Sequence, residues 1–312
     1  MRIIAADAVA RALDDRALIE RLREAFRLGC TLPVRHHHAV PVAGEPAATL
    51  LLMPAWREGG AIGIKLATIF PGNAARGLPA VYATYLLLDG KTGAPRAMLD
   101  GTELTRRRTA AASALAAAYL ARQNARKLLM IGTGSLAPHL IRAHCSIRPI
   151  AAVAIWGRNA EKARALAATL DGKPVEVRAT DDLESAARDA DIISCATLSK
   201  EPLVRGAWLE RGQHLDLVGA FTRDMRESDD EAVRRARLYV DTREGAMSEA
   251  GDILQPLAAG IIAADKIVGD LFDLARGTVP GRGRDDEITL FKSVGTALED
   301  LAAAELVVER NS

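Results

Sequence analysis

The stretch Leu128-Leu129-Met130-Ile131-Gly132-Thr133-Gly134-Ser135-Leu136-Ala137 reads as a buried strand that runs into a phosphate-binding turn and then a helix. In a G-x-G-x-x-A pattern the first glycine, Gly132, permits the tight turn and the second, Gly134, lets the backbone approach a pyrophosphate. The small third residue, Ala137, lets the helix pack close to its strand. The helix N-terminus then offers free N–H groups and the positive end of its dipole to the phosphates. Such a pattern is weak alone, and its surroundings strengthen it. Val153-Ala154-Ile155-Trp156 and Ala190-Asp191-Ile192-Ile193-Ser194-Cys195-Ala196-Thr197 follow as apolar runs, separated by helix-like stretches at 160–170 and 181–190. This βαβ alternation predicts an α/β fold with a Rossmann-type, doubly wound parallel sheet. Because the turn falls in mid-chain, the residues before it must form a separate domain.

The remaining composition narrows the partner to a small molecule. The 41 Lys and Arg balance 40 Asp and Glu to a net charge of +1, which gives no electrostatic argument for nucleic acid or an anionic membrane. Three cysteines, Cys30, Cys145 and Cys195, show no C-x-x-C spacing, so neither a disulfide framework nor a zinc site is expected. An acidic residue enters the N-terminus too early for a signal peptide, and no apolar run reaches membrane-spanning length. A soluble, cytoplasmic protein is expected.

Before the turn, residues 7–28 carry Val9, Leu13, Leu18, Ile19, Leu22 and Phe26 at helical spacing. Short strand-like runs then follow at 49–54, 61–66 and 82–89, punctuated by Gly59-Gly60, Pro71-Gly72-Asn73 and Asp89-Gly90-Lys91-Thr92-Gly93, and predict an antiparallel sheet. An Ala-rich helix is expected over 105–123 and a final helix over 288–309, with Leu298, Leu301, Ala304 and Leu306 on one face.

Several residues could carry chemistry. Lys65 sits inside Ala61-Ile62-Gly63-Ile64-Lys65-Leu66, where an ammonium is costly unless its charge is used or reaches water. Two readings stand: a strand lysine reaching outward, or a member of a site framed by the turn-rich loop at 70–79. Arg35 precedes His36-His37-His38, and since successive strand residues face opposite ways, at most two imidazoles converge; no metal site is expected. Within Arg106-Arg107-Arg108 one or two side chains can face a cleft, where a guanidinium suits a carboxylate. His139, His144 and His214 are isolated, and none is expected as a catalytic base. Asp224 follows the strand-like run at 217–220 and is either a helix cap or a group at the ligand-binding edge of the sheet.

Taken together, Lys65 with Asn73 and Gly77-Leu78-Pro79, the Asp89-to-Pro95 turn, Leu104-Thr105-Arg106-Arg107-Arg108-Thr109-Ala110-Ala111, the Gly132-to-Ala137 turn and Ile288-Thr289-Leu290-Phe291-Lys292-Ser293-Val294-Gly295 resemble the ornithine cyclodeaminase/mu-crystallin family over nearly the whole chain. The resemblance implies a homodimer built on an N-terminal α+β substrate and dimerisation domain, 1–107, with the helix at 296–312 packing back on it, and a Rossmann domain, 108–295. It implies that Arg35 and Arg108 hold a substrate carboxylate while Lys65 sits beside the reacting carbon and nitrogen. Cofactor contacts are expected at Gly132, Thr133, Gly134, Ser135, Leu136, Ala137, Arg158, Asn159, Thr197 and Ser293.

Members of the family include ornithine cyclodeaminases, alanine dehydrogenases, ketimine and Δ1-pyrroline-2-carboxylate reductases, a hydroxyproline dehydratase and the hormone-binding mu-crystallin. Cyclodeaminating members carry an acid directly after a Gly-Ala-like pair, whereas Gly219-Ala220 is followed here by Phe221, with Asp224 three residues later. That pattern resembles the reductase branch and implies reduction of a cyclic imino acid, with Lys65 and Asp224 as the catalytic pair. After the second strand, where an NAD-specific fold places an acid, the chain reads Trp156-Gly157-Arg158-Asn159; the arginine suits the 2′-phosphate of NADPH, with NADH as the other candidate.

Overall fold

A computed structural model describes residues 1–170 and 175–311. The chain divides into two compact units, Met1–Arg108 with Ala297–Ser312, and Thr109–Thr296.

The strands of the first unit are β1 (Arg2–Ile4), β2 (His36–Val40), β3 (Ala48–Trp56), β4 (Ala61–Ile69), β5 (Val81–Asp89) and β6 (Pro95–Asp100). They form one sheet in the order β1-β6-β5-β4-β3-β2, antiparallel except where β1 joins β6. Register sets Met53, Lys65, Tyr85 and Leu99 side by side on one face and Leu52, Leu66 and Thr84 on the other. Two helices, α1 (Ala6–Ala12) and α2 (Asp15–Leu28), precede β2. In α2 the apolar set Leu18, Ile19, Leu22, Ala25 and Phe26 is buried, as the 3.6-residue spacing predicts. Asp14 starts this helix by accepting from the Ala17 N–H, and Gly29 at φ 79° ends it.

The Ala-rich helix α3 runs over Gly101–Leu120, so it begins and ends earlier than the expected 105–123. Asp100 accepts from the Glu103 N–H and starts the helix. A Cβ on Gly101 would lie 2.7 Å from the Ala83 carbonyl carbon; the glycine is there for close packing and does not end the helix.

The second unit is an eight-stranded parallel sheet: β7 (Lys127–Ile131), β8 (Ala152–Trp156), β9 (Glu176–Ala179), β10 (Ile192–Cys195), β11 (His214–Leu217), β12 (Arg237–Val240), β13 (Ile267–Asp270) and β14 (Thr289–Lys292). Their order is β13-β12-β14-β11-β10-β7-β8-β9. The chain moves outward from β7 through β8 and β9, then returns to β10 on the other side. The edge beyond β7 and β10 is therefore the topological switch point where ligands of doubly wound sheets bind. Helices α4 (Ala137–Ile147), α5 (Ala160–Leu170), α6 (Leu183–Asp189), α7 (Asp230–Arg235), α8 (Arg243–Glu249), α9 (Gly251–Ala258) and α10 (Leu271–Arg276) complete the alternation.

The expected helix over 288–309 is corrected at its start. Thr289–Lys292 is a strand, β14, hydrogen-bonded between β11 and β12, and all four residues are buried. A four-residue apolar run reads the same as a buried helix segment or a buried parallel strand, and here the two open ladders decide. Gly295 at φ 81° breaks the chain, and helix α11 follows over Ala297–Arg310. Within the first unit α11 packs beside α2 and across β3, β4 and β5.

Candidate active site

Lys65 lies in the middle of β4 on the helix-covered face and is 4% exposed. The α11 helix crosses β4 and brings two consecutive acids to it. Lys65 Nζ pairs with Asp300 Oδ2 at 2.7 Å. Arg108, in the second turn of α3, donates from Nε to Asp300 Oδ1 at 2.9 Å and from Nη1 to Glu299 Oε2 at 2.7 Å; Nη2 carries neither bond. All four side chains are buried. Burial draws the Lys65 amine down, Asp300 pulls it back up, and Arg108 and Arg35 press it down again, leaving it at about 8. Burial also works against the charge of Arg108, and Asp300 and Glu299 overcome that penalty and hold it protonated. Although burial favours its neutral form, Asp300 is held below the usual carboxylate range by Arg108 and Lys65.

Arg35, immediately before β2, is half-buried and close enough for its charge to act on Lys65. Lys65, Arg108 and Arg35 thus lie near the Asp300 and Glu299 carboxylates. Tyr85 stands opposite Lys65 on β5. Its hydroxyl lies over Gly63, where a Cβ would be 1.8 Å away, and it is buried without a hydrogen-bond partner among the described residues. Burial, reinforced by the nearby Asp300, pushes its pKa well up, so it stays a neutral phenol.

In the second unit Gly132 sits at φ 117°, and a Cβ there would come within 2.5 Å of the Ala196 carbonyl oxygen. Both facts require glycine. Gly134 is different: its φ is ordinary, and a Cβ would meet nothing within 4 Å. Nothing in the fold needs glycine there, whereas a diphosphate drawn against the backbone does. Among the described residues, none accepts a hydrogen bond from the N–H groups of Thr133, Gly134, Ser135 or Leu136, and α4 begins at Ala137, which is buried. This donor set fits a dinucleotide's phosphates.

Gly157, after β8, abuts the turn: a Cβ would lie 2.7 Å from Thr133 Cγ2. Arg158 beside it is exposed and joins no hydrogen bond or ion pair among the described residues. Asn159 accepts from the Lys162 N–H and starts α5. Thr197, after β10, donates from its N–H and hydroxyl to Glu227, and the buried Ser293 follows β14 with its N–H on the Leu217 carbonyl. Asp224 is neither a helix cap nor buried. It pairs with Lys200 at 2.8 Å, both side chains being well exposed, and Lys200 and Thr222 hold its pKa down to about 2. Phe221 is 39% exposed.

Two of the isolated histidines, His144 and His214, belong to the core, and His139 is half-buried. His144 Nε2 lies 3.2 Å from the buried Asp216, and His214 Nδ1 lies 3.0 Å from the Thr289 hydroxyl. Sequence reading missed the acidic partners Glu299 and Asp300. Their signal was two adjacent carboxylates inside the apolar run of the last helix. It also missed Lys292, which interrupts a buried run just as Lys65 does, together with its partner Asp252 and the nearby Glu227.

The model of the ornithine cyclodeaminase/mu-crystallin family matches residues 4–312. The chain belongs to that family. It is 42% identical over 285 residues to the Δ1-pyrroline-2-carboxylate reductase of Paracoccus denitrificans, covering 91% of this chain and 90% of that protein. Among solved structures, the Thermococcus litoralis Δ1-pyrroline-2-carboxylate reductase in complex with NADH and L-proline superposes with a TM-score of 0.94 at 34% identity, covering 99% of this chain and 97% of that one. An archaeal alanine dehydrogenase dimer with bound NAD gives 0.92 at 29% identity, covering 100% and 97%.

Proposed function

We propose that this family member reduces a cyclic imino acid, Δ1-pyrroline-2-carboxylate or Δ1-piperideine-2-carboxylate, to L-proline or L-pipecolate with a nicotinamide cofactor. The observation that carries this reading is the buried Lys65–Asp300–Arg108–Glu299 group, set in a chain whose other unit carries the dinucleotide turn. A nicotinamide dinucleotide held at the Gly132–Ala137 turn would supply the hydride that the imine carbon gains. The first unit's residues do the rest. Arg108 and Arg35 hold the substrate carboxylate, which suits a guanidinium's planar donors. Lys65 donates the proton that the imine nitrogen gains, because an amine at about 8 is still mostly protonated at neutral pH yet gives up its proton far more readily than an ordinary lysine.

Three finer assignments belong to the same reading. The cofactor is NADPH, since the unpaired Arg158 beside the phosphate turn suits a 2′-phosphate. The protein is a homodimer through the first sheet's outer face, where Leu66 is 43% and Tyr82 47% exposed beside the half-buried Leu52 and Ile64, a contiguous apolar surface of the kind that marks an interface. It works in the cytoplasm, where its three free cysteines stay reduced. Among the described residues no helix is long and apolar enough to cross a membrane.

The test is turnover. NADPH oxidation should accompany either cyclic imine, and L-ornithine with NAD should release no ammonia. Steady ammonia release from ornithine without imine reduction would overturn the reading in favour of cyclodeamination.

A further inference from the structure

Beneath the switch-point edge of the second unit lies a cluster of ionisable groups that the proposed reaction does not use. Glu227, Asp252 and Lys292 are each 0% exposed. Lys292, the last residue of β14, donates to the Gly219 carbonyl and pairs with Asp252 Oδ2 at 3.1 Å. Asp252 Oδ1 accepts from the Glu227 and Ser228 N–H groups at 2.8 and 3.0 Å. Glu227 Oε1 accepts from the Thr197 N–H at 2.6 Å and from the Thr197 hydroxyl at 2.8 Å. Its other oxygen, Oε2, is buried with no hydrogen-bond partner among the described residues.

The packing leaves this network no slack. A Cβ on Gly219 would lie 2.1 Å from the Thr197 carbonyl oxygen and 2.5 Å from both Glu227 Oε1 and the Thr197 nitrogen. Ala220, next in the chain, is held at φ 50°, a conformation that costs a non-glycine residue about 1 kcal/mol or more. So one buried network fixes the segment after β10 to the segment after β11, and the first of these carries Thr197. Burying three ionisable groups is an expensive way to fix backbone, and well-packed apolar side chains do it more cheaply. What Glu227 adds is directional: an acceptor aimed at two donors of one residue.

A threonine hydroxyl has a single proton. Since that proton goes to Glu227, and the Ser199 N–H reaches the same oxygen at 3.3 Å, Thr197 has only acceptor capacity left for a ligand. We infer that Glu227 is a positioning residue for the cofactor: through Thr197 it presents an acceptor, and so selects a donor group such as the nicotinamide carboxamide or a ribose hydroxyl. This inference rests on the reading that Thr197 borders the dinucleotide.

Two conservative variants separate acceptor from charge. Glu227→Gln removes the charge and keeps an oxygen at the acceptor position. Glu227→Asp keeps the charge and withdraws the oxygen by one methylene. NADPH affinity, read by fluorescence titration without turnover, should stay within about threefold of wild type in the Gln variant. In the Asp variant it should weaken about tenfold, the loss of ~1.4 kcal/mol of hydrogen bonding, with the KM for the imine little changed. A role in stability alone would leave both affinities at the wild-type value, and a role for the charge would reverse the order; either result overturns the proposal. Thr197→Ala tests the underlying reading separately. If that variant binds NADPH normally, Thr197 is not at the cofactor; if it binds poorly while Glu227→Asp binds well, only the positioning role fails. An analogue with acetyl in place of carboxamide tells the two donors apart: Thr197→Ala should lose less affinity for it than for the parent cofactor if the carboxamide is the donor, and an equal factor if a ribose hydroxyl is.

Discussion

Asp300→Asn removes one charge from the Lys65 group and leaves its size and one acceptor oxygen in place. Asp300 Oδ2 is 2.7 Å from Lys65 Nζ. At that distance two unit charges interact by ~6 kcal/mol at an effective dielectric of ~20. A quarter of this, ~1.4 kcal/mol, equals one pKa unit, so the Lys65 amine should fall at least about one unit below its present value of about 8. If the Lys65 ammonium is the proton donor, the alkaline limb of kcat/KM moves to lower pH by the same amount. Initial rates of NADPH oxidation against pH, for wild type and variant with the same imine, measure it; the substrate's own ionisation is common to both profiles and cancels.

The same substitution carries a stability consequence whose sign follows from linkage. The pKa of Lys65 is lower in the folded chain than in the unfolded one, so its burial opposes folding fully below about pH 8 and is relieved as pH rises from about 8 towards 10.5. The Asn variant should deepen that penalty and start its relief about one pH unit lower, and it also leaves Arg108 with one carboxylate instead of two. Breaking a buried pair in this way costs ~3–5 kcal/mol, so the first unit should melt several degrees earlier. A variant that folds, shown by its circular dichroism and a cooperative melt, yet keeps the wild-type alkaline limb would refute both the donor role of Lys65 and the control exerted by Asp300.

Lys65→Ala should lower kcat by ~10²-fold or more and leave NADPH binding nearly intact; retention of more than about a tenth of kcat would place the lysine outside the chemistry. Arg158→Ala should raise the KM for NADPH by about tenfold, the loss of a charge-assisted contact, and that for NADH much less, whereas equal changes would remove the 2′-phosphate from its role. Arg108→Lys keeps the charge and loses the planar fork. Its KM for the imino acid should rise sharply with cofactor affinity unchanged, and an unaltered KM in a folded variant would move the carboxylate clamp elsewhere.

The parts of this chain that were legible in its sequence are those governed by local rules. Gly132 and Ala137, the helical spacing in α2 and the alternation along β5 each depend on neighbours within a few residues. The parts that were not legible depend on partners brought together by the fold. Lys65 in a strand reads equally as a surface lysine or a buried one, and only the crossing of α11 over β4, which delivers Asp300, decides between them. The same holds for Thr289–Lys292. Its four residues fit a helix turn as well as a strand, and the open edges of β11 and β12 settle the matter. Asp224 shows the converse: its position in the sequence invited a role, and the fold leaves it at the surface on Lys200.

That placement bears on which reaction the chain supports. Cyclodeamination removes a hydride from an amino acid, closes a ring, expels ammonia and returns the hydride, so protons must move at several stages. Imine reduction needs one hydride and one proton. After β11 this chain carries Phe221 and not the acid that the resemblance implies for cyclodeaminating members, and Asp224 is paired with Lys200, which with Thr222 holds its carboxyl down to about 2. In the first unit the donor we propose is Lys65, and the carboxylates around it, Asp300 and Glu299, hold Arg108. One group poised to give one proton is the complement that a preformed cyclic imine requires, and it falls short of what ornithine cyclisation demands.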